Sequence, residues 1–414
     1  MAINIQNIID QITAKAAAAD STDTADYLLT LSKAVLAMNN ATGVIEYRAK
    51  SQLPTVDSSI LGNFAYIAAG YDIDSVYADS YAGFYYAARI GSNDSGWDRI
   101  RTVKDYNAEN VFQGSISGYA SGGVNPTPAV INTIEKYSFT SDANATDVGD
   151  LLTILRDPSG QSSSTHGYVT GGDNGTTSNV IQKYPFAVDA NSADVGDLTQ
   201  VRREMAGASS NANGYASGGN APTPIGLESN IIDKFPFSVD ANATDVGDLT
   251  VQRRYVTAGQ SSSTHGYASG GQEGPANADT STIIDKFPFA SDASATDVGD
   301  LIEQVRQAMG QNSASHGYHS GGRVYSPVPA SFTTSGVIQK FSFSTDGNAS
   351  DVGDLTLVRF VASGSSSTSS GYTAGGGSPA AQNIIDKFPF ASDANATDVG
   401  DLTITKIYLS GQQV

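Results

Sequence analysis

The chain has 414 residues, with 42 Asp and Glu against 23 Lys and Arg, and no cysteine. A net charge of −19 repels phosphate backbones and anionic lipid surfaces, which argues against nucleic-acid binding. The missing cysteines exclude disulfides and thiol chemistry, no apolar run is long enough for a helical membrane span, and the N-terminus lacks the basic region and apolar core of a secretory signal.

Residues 1–42 read as helical. Ile5, Ile8, Ile9 and Ile12 share one helix face. After Ser21, Thr22 and Asp23, the candidate caps, Tyr27, Leu28, Leu31, Ala34, Val35 and Met38 form a second stripe, ended by Asn39, Asn40 and Gly43. Helices this short are marginal alone. The segment is therefore expected either to pack on the next domain or to serve as an attachment and oligomerisation head.

Residues 43–100 predict a small β module. Short aromatic stretches at Glu46–Arg48, Asn63–Ala69, Gly83–Ile90 and Gly96–Ile100 are separated by Gly, Asp, Asn and Ser. Trp97, the one tryptophan, is the natural centre of such a sheet. The order LP, FAY, FYYAA, W-x-R-I, together with the opening MAINIQNIIDQI and LLTLSKAV, resembles a module near the N-terminus of virion proteins of marine tailed phages. It covers about the first hundred residues. It implies a component of a virus particle, tethered through this end to other virion proteins. A second reading takes Asn63–Gly70 as a degenerate repeat start, which would make this module a divergent seventh blade.

Residues 101–414 are six copies of a unit of about fifty residues. The hexapeptide GYxxGG begins at Gly118, Gly167, Gly214, Gly266, Gly317 and Gly371, and each copy runs on to an aromatic stretch and then DVGDL. A period near fifty points to a propeller or array. In the copy from Leu249 to Leu301, four short strands are expected: around Tyr255–Gln260, at Tyr267–Ser269 before Gly270–Gly271, at Ile283–Phe289, and at Asp297–Leu301. One such sheet cannot bury both faces, so copies must pack on one another. The double glycine is expected to take positive φ and to let backbones approach near a crowded axis. Pro185, Pro236, Pro288 and Pro389 should end or bulge the aromatic strand. The C-terminal TITKIYLSGQQV restarts the unit and is a candidate partner for the first copy.

This unit resembles the kelch repeat of galactose-oxidase-like propellers, with Arg254, Gly270–Gly271 and Phe287–Phe289 in the corresponding places and Arg156, Arg203, Arg306 and Arg359 marking the arginine in other copies. It departs from that pattern where Val-Gly-Asp-Leu replaces the tryptophan. The resemblance implies a mainly β fold: a six-bladed (alternatively seven-bladed) kelch-like β-propeller of four-stranded blades, preceded by the small β module and the helical segment.

Chemistry is sparse. The turn DxNxTDVGD, cleanest at Asp142/Asn144/Thr146/Asp150, Asp240/Asn242/Thr244/Asp248 and Asp393/Asn395/Thr397/Asp401, spaces oxygens as looped Ca²⁺ sites do. It lacks the terminal Glu of such loops, so an Asx-stabilised turn is the favoured reading. His166, His265 and His316 precede GY in different copies, so they should stand apart around the ring rather than share one metal ion. The copper site implied by galactose-oxidase likeness needs a cysteine. Periodic carboxylates do not suggest a paired catalytic set, and no phosphate-binding loop or nucleophile motif stands out. No catalytic, cofactor or metal residue is assigned. The loops after each GG, starting at Val124, Asp173, Asn220, Gln272, Arg323 and Gly377, differ in every copy; variable loops on a repeated scaffold are a natural binding surface. The expectation is a non-enzymatic, homo-oligomeric virion appendage anchored by its N-terminal region, its propeller outward for adhesion to a host-surface glycan. A purely structural decoration protein and a bacterial surface adhesin are the alternatives.

Overall fold

A computed structural model describes residues 114–414 apart from 128, 223–227, 275–278 and 328–329, together with four strand segments nearer the N-terminus. The helical expectation for residues 1–42 falls outside the described residues. The chain divides into two compact units, Met1–Ala108 and Glu109–Val414. In the first, β1 (Glu46–Tyr47), β2 (Phe64–Ile67), β3 (Gly83–Ala87) and β4 (Trp97–Ile100) form one sheet in chain order. β1 runs parallel to β2, and the other two pairs are antiparallel.

The second unit is mainly β, with no α-helix among its described residues. Six four-stranded antiparallel sheets follow one another, an arrangement compatible with a β-propeller. Sheet II comprises Ser159–Ser162, His166–Thr170, Val180–Pro185 and Ala193–Asp197. Sheets III, IV, V and VI repeat it, with first strands at Ala206–Ser209, Ala258–Ser261, Met309–Asn312 and Ser363–Ser366. Sheet I takes its second, third and fourth strands from Ser117–Ser121, Thr133–Ser138 and Thr146–Asp150. Its first strand comes from the other end of the chain: Ser410–Gln413 pairs antiparallel with Ser117–Ser121.

Local chemistry explains the strands. The second strand (GYAS and its variants) is buried on both faces, and the third buries Ile284, Asp285 and Phe287 while Lys286 is partly exposed. The third strand ends at Pro185, Pro236, Pro288 and Pro389, where no amide proton remains for the ladder. The irregularity in its pairing lies elsewhere, at Ile181/Gln182 and its counterparts against the fourth strand. Glycine at the start of GY is required by packing: a Cβ at Gly266 would enter the Phe287 ring.

One expectation is corrected by the packing. The glycines at the crowded centre are not the double glycines but the single glycine of each first strand. A Cβ on Gly207 would strike the carbonyl oxygen of Gly160, one on Gly259 that of Gly207, and so on through Gly310, Gly364 and Gly411 back to Gly160. The double glycines do take positive φ, 61–70° then 96–111°. Their amides instead grip the segment entering the next sheet's first strand, as in Gly172 N–H to Arg202 O (2.9 Å) and Gly271 N–H to Val305 O (2.9 Å). Each GY tyrosine stacks on the phenylalanine of the following sheet, from Tyr119–Phe186 (4.9 Å) to Tyr318–Phe390 (4.8 Å), and Tyr372 stacks on Phe139 (4.6 Å).

Candidate functional site

The DxNxTDVGD turn is a seam between sheets. Its first Asp binds the lysine on the third strand of the preceding sheet: Lys136–Asp189 (2.6 Å), Lys183–Asp240, Lys234–Asp292, Lys286–Asp346 (2.6 Å), Lys340–Asp393 (2.5 Å) and Lys387–Asp142 (2.9 Å). The residue two positions on accepts the amide of the last Asp of the preceding DVGD. Asn242 Oδ1 accepts from Asp197 N–H, and Asn144 Oδ1 from Asp401 N–H, each at 3.1 Å. In the quartet Asp240/Asn242/Thr244/Asp248, then, the first two oxygens reach sideways to Lys183 and Asp197 instead of converging. This is the geometry of an inter-sheet clasp rather than a cation loop.

A second seam is fully buried. Arg202, Arg253 and Arg359 have no exposed side-chain surface and pair with Asp233, Asp285 and Asp386 at 2.6, 2.5 and 2.5 Å. Each guanidinium also donates to two or three backbone carbonyls, Gly270 O, Ile283 O and Ala268 O for Arg253. The same carboxylate accepts from the amide and hydroxyl of a threonine in the preceding sheet's exit: Thr199, Thr250 and Thr356. Lys406, Glu135 and Thr403 make the corresponding set in sheet I. Sheets II and V replace it with Leu155, Gln182 and Leu152, and with Val305, Gln339 and Ile302; Gln182 and Gln339 still accept the Leu152 and Ile302 amides. Internal copies thus exchange a charged triad for a neutral one as a unit. Burial lowers the affinity of Lys406 for its proton and Glu135 opposes that, the balance expected of a paired interior charge. Arg359 therefore belongs with Arg202 and Arg253. The sequence alignment that grouped it with Arg156, Arg203, Arg254 and Arg306 is off by one residue.

Those four arginines surround a different feature. The residue after each takes left-handed φ: Asp157 (56°), Glu204 (63°), Tyr255 (53°) and Gln307 (58°), with Val361 (50°) and Tyr408 (63°) in the copies where Phe360 and Ile407 replace arginine. Non-glycine residues rarely sit there, and here backbone bonds hold them. Asp157 N–H donates to Tyr408 O, Glu204 N–H to Asp157 O, Gln307 N–H to Tyr255 O, Val361 N–H to Gln307 O and Tyr408 N–H to Val361 O, at 2.8–3.1 Å. The variable loops start beside this ring, because Asp173, Asn220 and Gln272 bridge to Arg156, Arg203 and Arg254. In sheet V the loop is itself a hairpin, Arg323–Pro327 with Ala330–Thr334, joined to Val305–Arg306. We call this end the mouth.

Charge and aromatic groups interleave there. Arg306 lies over the rings of Tyr255 (4.9 Å) and Phe332 (3.8 Å), Arg323 over Phe332 (5.8 Å) and Phe360 (4.6 Å), and Arg254 over Tyr255 (5.4 Å). Arg203 pairs with Asp173 (2.5 Å) and Arg254 with Glu228 (3.3 Å). Burial pushes the Glu204 carboxyl up to about 7, against the pull of Arg203 and Arg254. It raises Asp157 well above the carboxylate range, reinforced by Glu204. Perturbed carboxyls that influence one another, as Asp157 and Glu204 do, mark a functional candidate. The cavity just inside the mouth, lined by Asp157, Met205, Thr257, Met309, Val361 and Tyr408 among others, measures about 70 Å³. It has room for water or a small ion, far below the several hundred cubic ångströms of a small-molecule pocket. A larger ligand does not fit inside this cavity.

The expected histidines do not meet. His166, His265 and His316 each hold the neighbouring hydroxyl of Thr165, Thr264 or Ser315 through Nδ1 at 2.8–2.9 Å. His319, which replaces the alanine of GYAS, is buried against Ser269 (3.0 Å), and burial drives it down to about 3. Among the described residues no group of three His, Cys, Asp or Glu side chains is placed to hold a metal ion. No model of a known protein family matches the sequence, and no curated protein does. Reading the repeats as polar turns and strands missed both the mouth and the buried triads. The asymmetry of Arg156, Arg203, Arg254 and Arg306 against Phe360 and Ile407 was the available signal for the mouth.

Proposed function

We propose that residues 109–414 form a closed six-bladed β-propeller of kelch-like type, carried by a non-enzymatic structural protein of a tailed-phage virion. In this reading the N-terminal region attaches the chain, as a homo-oligomer, to other virion proteins. The propeller faces outward, and its mouth adheres to a host-surface glycan. The observation that carries the reading is the sixfold recurrence of the inter-sheet contacts. First-strand glycines, Tyr–Phe stacks and Lys–Asp clasps each pass from sheet to sheet and return from sheet VI to sheet I. The parallel strand pair in the N-terminal sheet, unlike the strand pairs described in the repeats, supports keeping that module separate from the blades. A rigid repeated ring bearing dissimilar loops at one end suits display and adhesion. The non-enzymatic reading is supported by the clasp and triad carboxylates, which are occupied in holding sheets together. Attachment through the N-terminal region rests on its resemblance to virion proteins.

The test is cryo-electron microscopy of purified particles with the chain traced in place, paired with binding of the full-length chain to permissive host cells. Density on the particle with saturable cell binding is expected. Density without cell binding on any permissive strain would favour a decoration protein, and absence from particles would sink the virion reading and reopen the adhesin alternative.

A further inference from the structure

We propose that the mouth is a binding site for an acidic saccharide, with its arginines holding a carboxylate or sulfate and its aromatic rings flanking the sugar. This deepens the adhesion reading above by naming the ligand chemistry. The argument begins with an account of cations. Residues 114–414 contain seven lysines and eight arginines. Six lysines make the rim clasps. Lys406, Arg202, Arg253 and Arg359 make the buried triads. The remaining five, Arg156, Arg203, Arg254, Arg306 and Arg323, all lie at the mouth. Among the described residues of 114–414, every lysine and arginine not used in joining sheets lies at the mouth.

These five are not fully neutralised from within. The carboxyls entering the cluster are Asp157, Asp173, Glu204 and Glu228, and burial favours the neutral form of Asp157 and Glu204. Arg306 reaches only a neutral hydrogen-bond partner, Gln272 Oε1. Glu204 and Gln307, both nine-tenths or more buried in the ring, each leave a side-chain oxygen without a donor. Guanidinium groups held over aromatic rings are preorganised to grip a planar or tetrahedral anion. Tyr255, Phe332, Phe360 and Tyr408 are half-buried, leaving ring surface for the apolar face of a pyranose.

The experiment is calorimetry on the full-length chain with three probes: an alginate oligosaccharide (carboxylated), a heparin-derived oligosaccharide (sulfated) and dextran (neutral). Saturable binding of one or both charged probes and none of dextran is expected. Affinity should fall by about tenfold or more in Arg306→Gln and in Arg323→Gln, the loss of one charged hydrogen bond, and stay unchanged in Lys286→Gln at the rim. If Arg306→Gln fails to fold, Arg323→Gln carries the test. No binding of either acidic probe, equal binding of dextran, or charged-probe binding indifferent to both arginine variants overturns the proposal. Particle and cell association are scored separately. A chain that adheres to cells while ignoring both acidic probes defeats this inference and leaves adhesion standing. A chain that binds them but is absent from particles does the reverse.

Discussion

The buried triads and the mouth are built from the same residue types and use them in opposite ways. At the Arg253–Asp285 pair both side chains are sealed from water, the carboxylate also takes two donors from Thr250, and the guanidinium donates to three further carbonyls. At the mouth Arg306 lies between two rings beside a neutral amide. The first arrangement recurs as a complete unit or is replaced as a complete unit. The second appears in four copies, lapses in two, and gains Arg323 from a loop. Periodic chemistry in this chain joins sheets, and broken periodicity marks the surface free to do something else.

The comparison can be broken at its strongest point first. Asp285→Ala strands a buried guanidinium and should cost about 3–5 kcal/mol in denaturant unfolding. The triple change Thr250→Ile, Arg253→Val, Asp285→Gln copies the neutral triad of sheet V and should recover stability to within about 1 kcal/mol of the parent. A triple variant as unstable as Asp285→Ala would show that the charged and neutral sets are not interchangeable. Next, Gly259→Ala places a methyl against the Gly207 carbonyl at the centre and should cost about 1–3 kcal/mol, or more if the backbone cannot yield. A value near zero would mean the first strands are less tightly apposed.

A pH experiment sharpens the interior. His319 is lowered from its ordinary value of 6.5 to about 3 by burial, so the unfolded chain takes up a proton that the folded one refuses. Its stabilising contribution is full above pH 6.5 and is lost as pH falls toward 3, at up to about 1.4 kcal/mol per pH unit. His319→Ala, the residue that sheets I, III and IV carry there, should flatten that slope in unfolding measured between pH 7 and 4; an unchanged slope refutes the assignment. The smallest effect belongs to the rim. Lys286→Gln removes a pair whose Asp346 side chain is 54% exposed, so it should cost about 0.2–1 kcal/mol, and less in high salt. A larger loss would make the clasp a principal seam.

Much of this was written locally. The fifty-residue period, the ends of the third strands at proline, the positive φ of the double glycines and the pairing capacity of the C-terminal TITKIYLSGQQV all follow from residues adjacent in sequence. The exchange of Thr–Arg–Asp for Leu–Leu–Gln or Ile–Val–Gln was also present in the repeats, but reading it required knowing that Thr199, Arg202 and Asp233 meet. The one-residue misplacement of Arg359 came from aligning a residue type without its depth. Neighbouring arginines such as Arg253 and Arg254 point to opposite environments, one sealed and one half-exposed.

By itself, then, the sequence determined the unit, its strand content and where its turns fall, because those depend on backbone freedom and side-chain shape within a few residues. Tertiary structure alone decided which charges cancel. Asp142 meets Lys387 across 245 positions, and the energy of a charge depends on distance and dielectric through space, not on spacing along the chain. The mouth emerges only once that cancellation is complete, as the place where five arginines remain.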